Sequence, residues 1–388
     1  MRPETTIVQG SQGKPADADP LTTPIYETTT FLFENAAEVR AYNEGRSSKF
    51  LYSRYGNPTV AAVEKTLASL EGAEMAMLFA SGQAATSTAL LGLLKAGDEV
   101  VCSAAIYGGT LHLLADLFSR FSIHARFVTI EELQHPDRVI GDKTRVVWFE
   151  SPINPTLRCV DVAAIAAASR KRGAVSIIDN TFASPLNQQP IALGVDIVME
   201  SVTKYINGHS DVTAGLLAGP SALLKDVDKA RRMLGGIIDP QAAYAIGRGM
   251  KTLAVRVERH NANGLAVARW LEPDKRVVRV YYPGLESHPD HALAKQQMKG
   301  FGGMVCVDVG GGIEKAERFF DRLKVFRRAA SLGGVESLCS LPCLTSQWGH
   351  TDDQLAAAGI TRSMARLSIG LEDPQDLIED LDQALADR

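Results

Sequence analysis

The chain reads as an α/β protein built on a mostly parallel, seven-stranded sheet, followed by a smaller α+β domain at the C-terminus. Three observations lead to that fold. Short continuous apolar runs recur between residues 75 and 218, as strands buried on both faces require. Most are separated by segments whose apolar residues have helical spacing, the pattern of strand–helix–strand crossovers. Past residue 251 this alternation gives way to a few strands with flanking helices.

Residues 1–56 are rich in Thr, Pro, Gly, Ser and Asp and show little periodicity. They hold an extended-looking stretch from Pro24 to Phe31 and end near Tyr52, Arg54 and Tyr55. Those aromatics and the arginine predict an N-terminal arm tied against another surface rather than a mobile tail. A helix is expected from Val60, with Val63, Leu67 and Leu70 on one face and Gly72 as its stop. The expected strands of the main sheet are 75–79, 99–102, 125–128, 145–149, 174–178, 196–199 and 213–218. Helices are expected over 84–94, 109–118 and 162–171, which places the main α/β domain at 57–252. The C-terminal domain, 253–388, opens on a long helix marked by Leu253, Val257 and His260. Strands over 277–282, 302–309 and 364–370 come next, with helices over 313–323 and 374–385. No internal repeat is visible.

At 388 residues the chain exceeds one average domain, and 45% hydrophobic with 22% charged residues is an ordinary globular composition. A net charge of −4 supplies no basic field for nucleic acid or an anionic membrane. Met1 to Thr6 lack the apolar core of a signal peptide, and no run is long enough to cross a bilayer. Cys102, Cys159, Cys306, Cys339 and Cys343 are odd in number and contain no Cys-x-x-Cys pair. They read as reduced core thiols of a cytoplasmic protein, with no metal site.

In open α/β sheets ligands bind beyond the carboxyl ends of the strands. The residues just past each strand are therefore the place to look for a site. Ser81-Gly82-Gln83 opens a helix after the first strand, and Tyr107-Gly108-Gly109 lies after the second. Asn154 comes after Phe149, Asp179 after Ile178, and Ser201-Val202-Thr203-Lys204 after Met199. A lysine where an apolar strand runs into a glycine-bearing loop can have its pKa lowered by partial burial, making its amine a nucleophile. Pyridoxal 5′-phosphate needs such an amine, a carboxylate for its pyridine nitrogen, a stacking aromatic and N–H donors for its phosphate. Lys204, Asp179, Tyr107 and the helix start at Gly82-Gln83 supply one of each, and the Ser201 and Thr203 hydroxyls can complete the phosphate shell. Each of these residues alone also fits a plain turn, cap or core position; their convergence on one sheet edge does not. No Gly-x-Gly-x-x-Gly, Walker loop or complete hydrolase elbow competes.

The ordered motifs Tyr52-Ser53-Arg54-Tyr55-Gly56-Asn57-Pro58, Ser81-Gly82-Gln83-Ala84, Tyr107-Gly108-Gly109-Thr110 and Asp179-Asn180-Thr181 go further. With Ser201-Val202-Thr203-Lys204-Tyr205, Ser331-Leu332-Gly333-Gly334 and Arg366-Leu367-Ser368, the chain resembles one family over nearly its whole length. That family is the Cys/Met-metabolism group of pyridoxal-phosphate enzymes: cystathionine γ-synthase, cystathionine γ-lyase and methionine γ-lyase. The resemblance implies the aspartate-aminotransferase-like fold, fold type I of PLP-dependent transferases. It also implies that Lys204 forms the Schiff base and shuttles protons, that Asp179 pairs with the ring nitrogen, and that Tyr107 stacks and assists the leaving group. Gly82, Gln83, Ser201 and Thr203 would hold the phosphate, joined by Tyr52 and Arg54 reaching from a neighbouring subunit. Arg366 would clamp the substrate α-carboxylate beside Ser331 and Asn154. The implied assembly is a homodimer, paired into a homotetramer, with shared sites.

Three positions depart from the family's pattern. Ala330 stands where many cystathionine-handling members carry a glutamate, and cannot offer a counter-charge to a distal ammonium. Gly109 stands where specialised methionine γ-lyases tend to carry cysteine. Trp348 lies in Thr345-Ser346-Gln347-Trp348-Gly349-His350, which replaces the usual Met-Thr-His run; as a large aromatic it is expected in the core. The expected activity is γ-elimination from a sulfur or homoserine-derived amino acid. γ-Replacement by a cystathionine γ-synthase or O-acylhomoserine sulfhydrylase is the alternative, and a non-catalytic scaffold is the remote one.

Overall fold

A computed structural model describes residues 20–386, so the first 19 residues of the expected arm lie outside the described residues. The rest of that segment is more ordered than its composition indicates. Helix α1 (Ala36–Asn43) is capped by Asn35, which accepts from the Glu38 amide, and it buries no residue. A helix held by its cap and not by a core leaves no apolar stripe to read. Thr30 and Tyr52 form an antiparallel bridge, flanked by bonds from Phe31 N to Leu51 O (3.1 Å) and Ser53 N to Thr29 O (2.8 Å).

Helix α2 (Pro58–Glu71) starts where Asn57 accepts from the Thr59 amide with Pro58 in the first turn, and stops at Gly72, whose φ of +67° suits glycine. The main sheet then alternates β1 (Met75–Phe79), α3 (Gly82–Leu93), β2 (Glu99–Ser103), β3 (His124–Val128), β4 (Thr144–Glu150), α4 (Val162–Lys171), β5 (Val175–Asp179), β6 (Ile197–Glu200) and β7 (Gly215–Gly219). Its order is β1-β7-β6-β5-β4-β2-β3. Only β7 is antiparallel to its neighbours, β1 and β6. Both faces are covered: Phe79, Cys102, Trp148 and Ile177 pack on one side, Val101, Val147, Phe149 and Val198 on the other. That is why the strands read as continuous apolar runs.

The helix expected over 109–118 is not continuous. It is an α-helical turn (Gly108–His112), a π turn (Leu113–Leu117) and a 3-10 turn (Phe118–Phe121). Its buried residues, Thr110, Leu114 and Phe118, repeat every fourth position. On an α-helix of 3.6 residues per turn such a stripe drifts by roughly 40° per step, and the wider π turn brings it back onto the sheet.

Three helices connect to the second sheet: α5 (Ser221–Leu234), α6 (Pro240–Met250) and α7 (Leu253–Leu271). That sheet comprises β8 (Arg279–Tyr281) and β9 (Met304–Asp308), then, after α8 (Gly312–Arg322), β10 (Arg327–Arg328), β11 (Leu338–Ser340) and β12 (Met364–Ser368), with α9 (Pro374–Leu385) packed on it. The order is β10-β11-β12-β9-β8. β10 and β11 are two and three residues long, too short for any alternation to reveal them. Central strand β12 carries Arg366 between Cys306 of β9 and Ser340 of β11.

Candidate active site

Parallel register assembles the site. Glu150 lies opposite Asp179, and Asp179 opposite Met199, so the ends of β4, β5 and β6 open together. They face a cavity of about 760 Å³, closed on its far side by Ala330, Ser331, Leu332 and Arg366. Of the residues expected from sequence, Gly82, Gln83, Tyr107, Asn154, Asp179, Ser201, Thr203, Lys204, Ser331 and Arg366 line this cavity. Tyr52 and Arg54 do not. Arg54 instead stacks 4.8 Å from the Tyr55 ring and 5.7 Å from Tyr52, and donates to the carbonyl of Arg232.

Lys204 stands one turn past β6 and donates from Nζ to Ser331 Oγ at 2.8 Å. Burial holds its ammonium pKa below the usual value, helped by the nearby Arg366 charge and opposed by Asp179. Asp179 accepts from the Thr181 amide at 3.1 Å. Burial raises its carboxyl pKa, while Thr181 and the Lys204 charge act against the rise. A cation placed against Asp179 would keep it ionised. Arg366 donates from Nη1 to Asn154 Oδ1 (3.0 Å) and from Nη2 to Ser331 O (3.2 Å). Its Nε is buried with no partner. Ser331 has φ +96°, a conformation that costs a non-glycine residue about 1–3 kcal/mol and that sets its hydroxyl and carbonyl toward Lys204 and Arg366.

At the other end, Ser81 caps α3 by accepting from the Ala84 amide, which leaves the Gly82 and Gln83 amides without partners among the described residues. A Cβ on Gly82 would stand 3.1 Å from Met199 Cε and 3.4 Å from Ser201 Cβ, a tight fit that asks those side chains to give way. The Thr203 hydroxyl is engaged with Ala214, donating to its carbonyl at 3.1 Å and accepting from its amide at 2.9 Å. Tyr107 is 47% exposed at the mouth, and its amide donates to Glu150 Oε1 at 2.6 Å. A Cβ on Gly109 would come within 2.5 Å of Tyr107 Cε1 and 3.2 Å of Gln83 Cδ. Glycine at 109 is therefore what lets the Tyr107 ring lie where it does.

Trp348 is not a core residue: it is 74% exposed. It sits in a turn closed by its amide bonding to Thr345 O at 3.3 Å, with Gly349 next at φ +85°. Thr345 and Ser346 face the cavity, and the turn carries the indole outward.

Sequence reasoning missed a layer of buried carboxyls behind Asp179. Glu150 is one; its place at a strand end beside Asp179 was the available signal. Glu200 and Glu71 are the others, each 1% exposed. Asn180 donates to Glu200 Oε1 at 2.8 Å, and the Glu71 and Glu200 carboxyls interact with each other. Neither Glu71 oxygen has another partner. Such a pair is attractive only if one member holds a proton. Burial pushes the Glu71 pKa up to about 8 and that of Glu200 well above the carboxylate range.

A part-buried lysine, a buried aspartate, free amides at a helix start and a buried arginine share one cavity of a type I, aspartate-aminotransferase-like fold, the set of groups that a pyridoxal-phosphate site needs. The chain belongs to the Cys/Met metabolism PLP-dependent enzyme family, whose model matches residues 4–386. It is 46% identical over 343 residues to mouse cystathionine γ-lyase, covering 88% of this chain and 86% of that one. It is 40% identical over 374 residues to tobacco chloroplastic cystathionine γ-synthase 1, covering 96% and 69% respectively. The solved cystathionine γ-lyase of Lactobacillus plantarum, in complex with L-serine, superposes with a TM-score of 0.89 at 36% identity, covering 99% and 98%. The chain is thus a PLP-dependent enzyme, and its cavity fits the cofactor in charge, donors and room. Among the described residues, no helix is long and apolar enough to cross a membrane.

Glu71→Gln tests the carboxyl pair. Glu71 has a raised pKa in the fold, so its contribution to stability is present below pH 4.5 and lost as pH rises through about 8. Denaturant unfolding should show Glu71→Gln gaining on the native chain between those values by at most about 1.4 kcal/mol per pH unit. A pH-independent difference would contradict the shared proton.

Proposed function

We propose that the enzyme removes or exchanges the γ-substituent of a sulfur or homoserine-derived amino acid, with γ-elimination as the leading reaction. The observation that carries this is the link from Lys204 Nζ through Ser331 to Arg366, with Asn154 on the other side of the guanidinium. It sets a partly desolvated amine beside a cation shaped to grip an α-carboxylate. Pyridoxal phosphate supplies the electron sink that makes the protons on Cα and Cβ acidic.

The chain's own residues do the rest. Arg366 holds the α-carboxylate through its guanidinium fork, which orients Cα toward Lys204. Lys204, its amine favoured by burial, takes the proton from Cα, gives it up within the site, and then takes the proton from Cβ that lets the γ-substituent leave. Tyr107, at the mouth, stacks over the ring and passes a proton to the departing sulfur or oxygen on Cγ. Asp179 stays ionised against the ring nitrogen, with Glu150 and Glu200 behind it kept neutral by burial. Gly82, Gln83 and Ser201 offer donors to the phosphate; Thr203 joins them by rotating its hydroxyl away from Ala214. Release by water gives a 2-oxo acid and ammonia; a thiol in place of water gives replacement. Ala330 offers no carboxylate to a distal ammonium, which favours a substrate whose γ-substituent is uncharged at that end.

Tyr52 and Arg54 belong to this reading as phosphate ligands of a neighbouring subunit's site, in a homodimer that pairs into a tetramer. Their place outside the cavity of their own chain supports it. A cytoplasmic location is supported by five buried, unpaired cysteines.

Lys204→Ala should lose the near-visible absorbance of the purified protein and all release of 2-oxo acid; a surviving band would sink the assignment. With methionine, cystathionine and an O-acylhomoserine as substrates, 2-oxobutanoate release without added thiol is expected to exceed thioether formation with cysteine. The reverse ratio would establish the replacement enzyme. Tyr52→Phe with Arg54→Ala should weaken cofactor retention by about tenfold, a charge-assisted contact or two. Unchanged retention on dialysis would argue against shared sites.

A further inference from the structure

Helix α7 is the last of the three helices between the two sheets, and its buried face is unusually polar. Arg256, His260 and Asn263 are 3%, 0% and 1% exposed. Arg256 has no carboxylate partner among the described residues. Its donors go to Thr252 Oγ1 (Nε, 3.1 Å), Tyr205 O (Nη1, 2.7 Å), and Ile206 O and Gly249 O (Nη2, 3.2 and 3.0 Å). Two of those carbonyls belong to the turn immediately past Lys204. The fit is close: a Cβ on Gly208, whose φ is +77°, would collide with the Arg256 guanidinium. A buried cation without a counter-ion weakens a fold unless its donors are used, and here four of its five N–H groups are.

One turn along, His260 Nδ1 donates to Ile369 O at 2.7 Å, three residues beyond Arg366. Asn263 donates to the carbonyls of Gly370 and Glu372 at 3.0 and 2.9 Å. Between the two ends stands Tyr205, its ring edge-on to His260 at 5.1 Å and its hydroxyl accepting from the Gly303 amide at 3.0 Å. One rigid helix thus grips the lysine turn with its first residues and, with the next ones, the segment that directly follows the arginine strand.

We propose that the buried face of α7 is a spacer that sets the separation of the Lys204 amine from the Arg366 guanidinium. Arg256 is the positioning residue at the lysine end, and His260 with Asn263 at the arginine end. The spacer rests on the roles proposed for Lys204 and Arg366. The consequence is a division of labour: disturbing Arg256 moves the group that binds cofactor, and disturbing His260 moves the group that binds the substrate carboxylate.

The test uses the full-length holoenzyme and two readouts: cofactor dissociation constant, and KM for the amino acid. Arg256→Lys keeps the charge but loses the fork, and should weaken cofactor binding about tenfold or more while KM changes less than about threefold, since a misplacement near 1 Å costs up to about 100-fold. His260→Asn should raise KM by about tenfold and leave cofactor affinity within about threefold. Thr252→Ala removes only the Nε acceptor and should mirror Arg256→Lys at smaller size, which keeps the test decisive if Arg256→Lys does not fold. Native circular dichroism with both readouts unchanged, or with both falling together in every variant, would overturn the spacer and leave α7 a plain structural strut. The Lys204→Ala control separates the two levels. If it keeps its near-visible band, the reading of the site fails; if it loses the band while the α7 variants show no split, only the spacer fails.

Discussion

Parallel pairing of β4, β5 and β6 is the constraint on which the site depends. Because Glu150, Asp179 and Met199 are lateral neighbours, the Asp179 carboxylate and the turn bearing Lys204 emerge side by side. A slip of one residue would turn Asp179 to the opposite face and leave Lys204 without its counter-charge. Burial on both faces of the sheet forbids that slip, since it would exchange the side chains of two packed cores. Catalytic geometry and stability therefore rest on the same hydrogen bonds.

The charge balance around that register is tight. Lys204, Arg366 and Arg256 are cations in low-dielectric surroundings, and Asp179, Glu150, Glu200 and Glu71 are carboxyls in the same region. Burial alone moves each toward its neutral form. For Asp179 the Thr181 amide and the Lys204 charge oppose that shift, whereas for Glu200 and Glu150 burial outweighs the donors they have, Asn180 and the Tyr107 amide. Removing a single buried charged partner in such a cluster costs about 3–5 kcal/mol.

Much of this was legible in the sequence, for physical reasons. Strands buried on both faces leave continuous apolar runs, and ligands gather at strand ends, so Lys204, Asp179, Asn154 and Gly82 could be found without coordinates. What stayed hidden depends on contacts between distant segments. Arg256 resembles any polar residue on a helix until its donors are seen on the carbonyls of Tyr205 and Gly249. Trp348 looks like core material, yet a tight turn before Gly349 carries it into solvent. Strands β10 and β11 are too short to print a pattern, and the rewinding at Leu113 answers to the sheet beneath it. The roles of Arg366 and Ser331 are legible only through family resemblance; the cavity wall they share and the strained Ser331 backbone are independent physical support.

The central claim is that the amine between Asp179 and Ser331 carries the cofactor. Borohydride reduction of the holoenzyme and then peptide mapping tests it most directly. The account requires one pyridoxyl group per chain, on Lys204. A label on any other lysine, or none on this one, would contradict it.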